Sequence, residues 1–411
     1  MSQARTGFRP LAGLRVLDWT EGVAGPYACQ TLGDLGADVI KVERPQGDWA
    51  RGVGTGPAQG GPDFRALNRN KRDLCLDLRH PEAVEVALRL AERSDVMVTS
   101  YRPGVTERLG IGWEAVHARA PRLIYARISG FGYGGPLQHR AGSDTILQAV
   151  SGLMSQVGDP DGEPQRVGIP VVDFVAARDA VTGVLAALLA RERGQTVVAP
   201  VDVSLYASAA ALQAQVWQKY FEAGTVQRRS GHRNAGIAPA GLFPTSDGRH
   251  IAVAVLRDEH WQNFCTAIGR PDLLDDPRFS SNGSRLRHRP ELEAEIVPVF
   301  RSRSFDEWVR ILGENDVLAG PVTEVPDIAG DARLRGALPL TRLPEGALGP
   351  SAPAIALPIA VGGVLPGPER VLAPPARGQH TREVLREVGY AEAEIERLVA
   401  SGATPEVAPG D

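Results

Sequence analysis

An α/β fold is expected, with a large domain of strand–helix units and a smaller α+β domain. Three observations predict it. Short apolar strand-like runs alternate with helically spaced segments over the first third of the chain. A long Ala/Val/Leu helix follows Pro170. Beyond residue 228 the pattern turns to a hairpin followed by short helices.

Leu14–Trp19 reads as a buried strand, and a helix opening at Gly25-Pro26 runs to a stop at Gly36. Asp38–Glu43 is a second strand. Pro81–Arg93 carries apolar residues at Ala83, Val84, Ala87, Leu88 and Ala91, which is helical spacing with proline in the first turn. Val96–Val98 and Leu123–Ile128 are further strands, so a mostly parallel sheet covered by helices is expected. Phe174–Ala190 is apolar nearly all round and predicts a buried helix. Val197–Val203 is strand-like, Ser204–Glu222 a helix that Gly224 ends, and Arg228–Pro239 a loop. Gly241–Thr245 and His250–Val255 flank Ser246-Asp247-Gly248, a hairpin signal. Helices are predicted near Glu259–Ile268, Pro290–Phe300 and Phe305–Glu314, with Gly320-Pro321-Val322 ending that domain. Pro/Gly-rich chain leads to a last helix over Thr381–Ser401 and a frayed end past Gly402.

Composition narrows the function. The 411 residues are 43% hydrophobic and 23% charged, ordinary for a soluble globular protein. A formal charge of −4 offers no broad basic field, so nucleic acid is not an expected partner. Cys29, Cys75 and Cys265 are widely spaced, which fits a reducing compartment better than a disulfide framework or structural zinc. The first ten residues lack a signal-peptide core, and no apolar run reaches the ~20 residues of a membrane span. A cytoplasmic protein with no membrane attachment is expected.

Familiar nucleotide and hydrolase motifs are missing. After the first strand the turn holds only Gly22 and Gly25, short of G-x-G-x-x-G, and the sequence has no P-loop, H-x-x-x-H pair or G-x-S-x-G elbow. The chemistry-bearing feature is Arg166–Arg178, R-V-G-I-P-V-V-D-F-V-A-A-R, which sets Asp173 at the mouth of the long apolar helix. An aspartate there is a favoured N-cap, or it is the reactive group of a covalent mechanism. Local sequence alone favours the cap.

Eight segments in order carry a resemblance: VLDWTEGVAGP from Val16, GADVIKVERP from Gly36, NRNKRDLCLDL from Asn68, SYRPGVTERLG from Ser100, AGSD from Ala141, GIPVVD from Gly168, APAGLFPTSDG from Ala238 and DDPRF from Asp275. Across nearly its whole length the chain resembles the family III coenzyme A transferases, the group that includes formyl-CoA transferase and carnitine CoA-transferase. The resemblance implies a large Rossmann-type domain and a smaller domain in a ring-like chain, two of which interlock as a homodimer. Expected boundaries are 1–203 for the amino-terminal part of the large domain, 204–227 for a linker helix, 228–325 for the small domain and 326–411 for the return.

It also implies roles. Asp173 matches the family nucleophile and Asp144 the acidic residue that orients it. Arg44, Arg79, Arg102, Arg108 and Arg140 match CoA contacts, apt because guanidinium forks suit phosphates. Val23, Ala24, Leu78, Ser100, Tyr101 and Ser143 complete the expected CoA site. CoA and acyl-CoA would be substrates, with a small carboxylic acid as the other partner; neither a tightly bound cofactor nor a metal is expected. A helix N-terminus would keep Asp173 ionised. Related racemases carry histidine where Ser143 stands, because α-proton transfer needs a second acid/base; an acyl-CoA racemase or epimerase is therefore a lesser reading, as is a non-catalytic CoA-binding protein. Formyl-CoA transferase has His and Gln where this chain has Glu21 and Val23, and its tetraglycine loop is absent. The counterpart is Gly231–Gly236, where His232, Arg233 and Asn234 would meet substrate. That departure points away from formate and oxalate and toward a dicarboxylate such as succinate.

Overall fold

The computed structural model describes residues 7–54, 60–367 and 371–405. They form two compact units. One takes in the described residues of Met1–Leu153, Val167–Gln218 and Leu338–Asp411, the other Met154–Arg166 and Lys219–Ala337.

The first unit is built on a parallel sheet of six strands, β1 (Arg15–Trp19), β2 (Asp38–Glu43), β3 (Lys71–Cys75), β4 (Val96–Thr99), β5 (Ile124–Ser129) and β6 (Val201–Ser204), in the order β3-β2-β1-β4-β5-β6. Val16 pairs with Val39 on one side and Val96 on the other. Because side chains alternate along a strand, Val16, Val39 and Val96 join one helical layer and Leu17, Ile40 and Met97 the opposite one. The first layer includes the helices Ala24–Asp34 and Val171–Glu192; the second includes Pro81–Glu92 and the carboxyl-terminal helices Thr381–Glu387 and Glu392–Ala400. Leu17 and Ile40 are wholly buried, each contributing about 1.5–3 kcal/mol. The expected mixed α/β fold with a central parallel sheet is thus observed.

Several elements depart from the sequence reading. Strand β3 (K-R-D-L-C) offers no apolar run, because Lys71 and Asp73 are polar side chains that are nevertheless buried. The helix Val171–Glu192 is buried on one face only: Val172, Ala176, Ala180, Val184 and Leu188 are covered, whereas Arg178, Thr182 and Leu189 are exposed. The predicted last helix breaks at Gly389, whose φ of 93° glycine adopts without strain. Ala403 and Thr404 are fully buried, not frayed, and the Ala403 carbonyl accepts the Asp77 amide. The Pro/Gly-rich return holds a hairpin, β10 (Leu340–Leu343) with β11 (Ala352–Ile355).

In the second unit the predicted hairpin is present as β7 (Ala240–Pro244) and β8 (His250–Ala254), joined by a third antiparallel strand, β9 (Leu318–Pro321). Its core gathers Phe243, Phe264, Phe300 and Trp308. Among the described residues no helix is long and apolar enough to cross a membrane.

Candidate active site

In a doubly wound sheet the strand order reverses at a switch point, and ligands bind beyond the carboxyl ends of the strands there. Here the reversal lies between β1 and β4. The turn after β1 places Val23 just before the helix Ala24–Asp34, with Ala24 as its first residue. Ser100 and Tyr101 follow β4. The two sides are tied together, since the Glu21 amide donates to Ser100 Oγ at 3.1 Å.

A buried charge cluster holds that turn. Lys41 Nζ donates to the Thr20 carbonyl at 2.8 Å and to Asp48 at 2.9 Å, and Asp48 accepts the Gly22 amide at 3.0 Å. Lys71 Nζ donates to Asp18, Asn68 and the Pro26 carbonyl, at 2.8, 2.8 and 2.9 Å. Burial alone would raise the Asp18 pKa, but Lys71 and Lys41 outweigh it and hold the carboxyl below its ordinary range. The turn's corners at Thr20, Gly22 and Pro26 are thereby fixed by the buried side chains of Lys41, Asp48 and Lys71.

The expected CoA-contacting residues fall on the same edge of the sheet. Arg44 follows β2, half exposed, and pairs with Glu21 at 3.2 Å. Leu78 and Arg79 lie beyond β3; Leu78 packs on the core, and the exposed Arg79 forks onto Asp77 at 2.6 Å. Tyr101 packs against the core, and burial pushes its hydroxyl up to about 12. Arg102 and Arg108 are exposed beyond β4. Arg140 lies after β5, its guanidinium 5.4 Å from the centre of the Phe131 ring.

The Asp173 region is assembled from two helices. Ser143 precedes the helix Asp144–Val150 and is exposed, while Asp144 is buried in its first turn. Asp173 is not an N-cap, contrary to the local sequence reading. The helix Val171–Glu192 is capped at Pro170, and Asp173 lies three residues in. Asp144 does the capping instead: its Oδ1 accepts the Val172 amide at 2.9 Å. Its Oδ2 accepts from Gln148 Nε2 at 2.7 Å. On the other side Phe174 meets Tyr27 edge to face, ring centres 4.9 Å apart.

The expectation that the helix terminus keeps Asp173 ionised is also corrected. Burial, and then the negative charge of Asp144, push its carboxyl up to about 7. Half-buried and with a raised pKa, Asp173 is a candidate reactive group.

Sequence reasoning missed Gln148 and the Lys41–Lys71–Asp18–Asp48 cluster. Gln148 had one signal, its i, i+4 spacing from Asp144.

In the second unit, the loop residues are engaged locally. Arg233 forks onto Glu293 with two 2.7 Å bonds, His232 Nδ1 accepts the Leu242 amide at 2.9 Å, and Asn234 Oδ1 accepts the Gly236 amide at 2.8 Å. His232 and Arg233 line a cavity of about 620 Å³ with Arg249, Glu293 and Arg301.

Fold and site define a doubly wound α/β protein with arginines along the sheet edge at its switch point and a perturbed carboxylate, Asp173, beside Asp144. The chain belongs to CoA-transferase family III, whose sequence model matches residues 11–381. It is 32% identical over 413 residues to succinyl-CoA:glutarate CoA-transferase of Mus musculus, covering 96% of this chain and 90% of that one. It is 39% identical over 328 residues to a Mycobacterium tuberculosis protein named "Probable fatty acyl-CoA transferase Rv3272", covering 76% of this chain and 82% of the relative. A crystal structure of a CaiB/BaiF family protein from Brucella suis matches with a TM-score of 0.79 and 30% identity over 92% of this chain and 99% of that one. The resemblance read from the eight segments is borne out, and with it an enzyme of the family III CoA-transferase class.

Proposed function

We propose that this protein exchanges CoA between an acyl-CoA and a free carboxylic acid, with Asp173 as nucleophile. The single observation behind this reading is the pairing of a half-buried, perturbed Asp173 with Asp144 at one helix start. The Asp173 carboxylate attacks the thioester carbonyl, a C–O bond forms, the C–S bond breaks and CoA thiolate leaves. The thiolate then attacks the aspartyl carbonyl of the mixed anhydride, releasing the donor acid and leaving an aspartyl–CoA thioester. The acceptor carboxylate repeats both steps in reverse. Thioester energy is conserved throughout, and no oxidant or proton is consumed. Arg44, Arg79, Arg102, Arg108 and Arg140 would meet the CoA phosphates, and Val23, Ala24, Leu78, Ser100 and Tyr101 the rest of the carrier.

Succinyl-CoA is the proposed donor, in keeping with the name of the mouse relative and with the basic side chains around His232 and Arg233. For Arg233 to receive a substrate carboxylate it would exchange its Glu293 partner. A longer acyl donor is the second reading. It is favoured by a mainly apolar cavity of about 520 Å³ beside Phe174, lined also by Tyr27, Leu67 and Leu357, and by the name of the mycobacterial relative. We propose further that the enzyme works as an interlocked homodimer. Tyr220 and Phe221, 51% and 72% exposed, offer apolar surface to a second copy; light scattering would read the dimer mass.

The deciding experiment incubates the protein with succinyl-CoA, traps with hydroxylamine and maps the modified peptide. Label on the Asp173 peptide, lost in Asp173→Ala, is the expected outcome. Exchange of the substrate α-hydrogen with deuterated water, without label, would favour an epimerase. Binding with neither result would indicate a CoA-binding protein.

A further inference from the structure

Gln148 is wholly buried although it is an amide, and a buried amide is costly unless its donors and acceptor are paired. Here they are. Its Nε2 donates to Asp144 Oδ2 at 2.7 Å and lies 3.4 Å from the Ile169 carbonyl, while its Oε1 accepts the Val167 amide at 2.8 Å. Val167 and Ile169 belong to the strap that leads into Pro170 and the helix bearing Asp173. One side chain therefore clasps both ends of this strap and orients the carboxylate that caps Val172. Asp144 is in turn the charged group that acts on Asp173.

We propose that Gln148 is a positioning residue for the reaction at Asp173, acting through Asp144. The proposal rests on the covalent reading above. Gln148 touches no reacting atom. It fixes the rotamer of Asp144, and with it the direction from which negative charge faces the nucleophile and the pitch of the first helical turn. A carboxylate nucleophile must approach the thioester carbon along a narrow path, so a small rotation of this turn is enough to slow attack.

Two variants test this. Gln148→Met fills a similar volume but deletes the bonds to Asp144 Oδ2 and to the Val167 amide. Expected are a kcat about tenfold or more below the parent and a KM for succinyl-CoA within about twofold, the pattern of lost transition-state positioning rather than lost binding. Gln148→Glu keeps the shape and places a second carboxylate on Asp144. The acid limb of its kcat/KM profile should move to higher pH, because the added negative charge holds Asp173 protonated further up the scale. A purely structural role would lower the melting temperature and leave the limb in place. An unmoved limb in Gln148→Glu, or an unchanged kcat in a folded Gln148→Met, overturns the proposal; if Gln148→Met does not fold, the near-isosteric Gln148→Glu decides alone. Hydroxylamine trapping of the parent separates the two levels. A parent that labels at Asp173 while the variants behave like it sinks the role of Gln148 only, whereas a parent that never labels sinks the covalent reading and this inference with it.

Discussion

Asp144 accepts the Val172 amide at 2.9 Å, so an acidic residue from one helix closes the first turn of the helix that carries Asp173. A cap of this kind is worth about 1 kcal/mol, but its larger consequence is electrostatic. The capping charge lies beside the candidate nucleophile and, together with burial, lifts its pKa to about 7. Only the ionised form of Asp173 can attack a thioester. The kcat/KM for acyl-CoA should therefore rise with pH and level off above about 7, falling about tenfold per unit well below it. Asp144→Asn removes the charge and should move this limb to lower pH, by an amount that steady-state profiles of the two proteins would read directly. A limb that stays put would separate Asp144 from the ionisation of Asp173.

The same shift bears on stability. The folded-state pKa of Asp173 lies above its unfolded value near 4, so the folded protein binds that proton more tightly. The ionised carboxyl therefore costs stability at high pH. The cost fades as pH falls through 7 and is gone below the unfolded pKa. Asp173→Asn should accordingly raise the melting temperature at pH 8, by a free energy of about 1–4 kcal/mol, and have little effect near pH 4. Calorimetry at both pH values checks the sign.

How far the sequence discloses this site depends on which interactions are local. Strands that are short buried apolar runs, such as β1 and β4, are legible, as are the hairpin at Asp247 and the candidate residues Asp144 and Asp173. Strand β3 is not, because its charges are paired with groups far along the chain: Lys71 meets Asp18, 53 residues away. The true cap of the Asp173 helix is hidden for the same reason, as Asp144 precedes Val172 by 28 residues. Local propensity favours a nearby cap, and only tertiary structure supplies the distant one.

The buried cluster under the β1 turn makes a strong prediction. Lys71→Met removes the partner of a wholly buried Asp18 and should cost about 3–5 kcal/mol, as for breaking one side of a buried ion pair. The double variant Asp18→Asn/Lys71→Met removes the stranded charge and should recover part of the loss. Urea unfolding of the three proteins gives the coupling; additive losses would show that Lys71 and Asp18 act independently.

Arg44 tests the ligand edge. Its guanidinium is half exposed and bonded to Glu21 and the Gly47 carbonyl, so removing it should leave the fold intact. With Arg44→Ala we expect a KM for acyl-CoA several-fold higher and kcat nearly unchanged, the signature of uniform binding. A loss of kcat at constant KM would move Arg44 from carrier binding to the reaction itself.

Close approach of backbone makes the last prediction sharp. Gly25 lies in the first turn of the helix that follows β1, and a Cβ there would lie 2.3 Å from Thr20 Cβ and 2.5 Å from Thr20 Oγ1. Neither atom can swing away, because Thr20 is buried and its carbonyl is held by Lys41. Gly25→Ala must therefore push the helix start off the strand, at about 1–3 kcal/mol, and should weaken acyl-CoA binding by displacing Val23 and Ala24. Gly313 provides the contrast. It lies within the helix Phe305–Glu314 and a Cβ there meets nothing within 4 Å, so Gly313→Ala should stabilise by up to about 1 kcal/mol. Opposite signs in urea unfolding are expected. A neutral Gly25→Ala would mean that the turn after β1 is looser than its hydrogen bonds imply, and the proposed CoA edge less rigid with it.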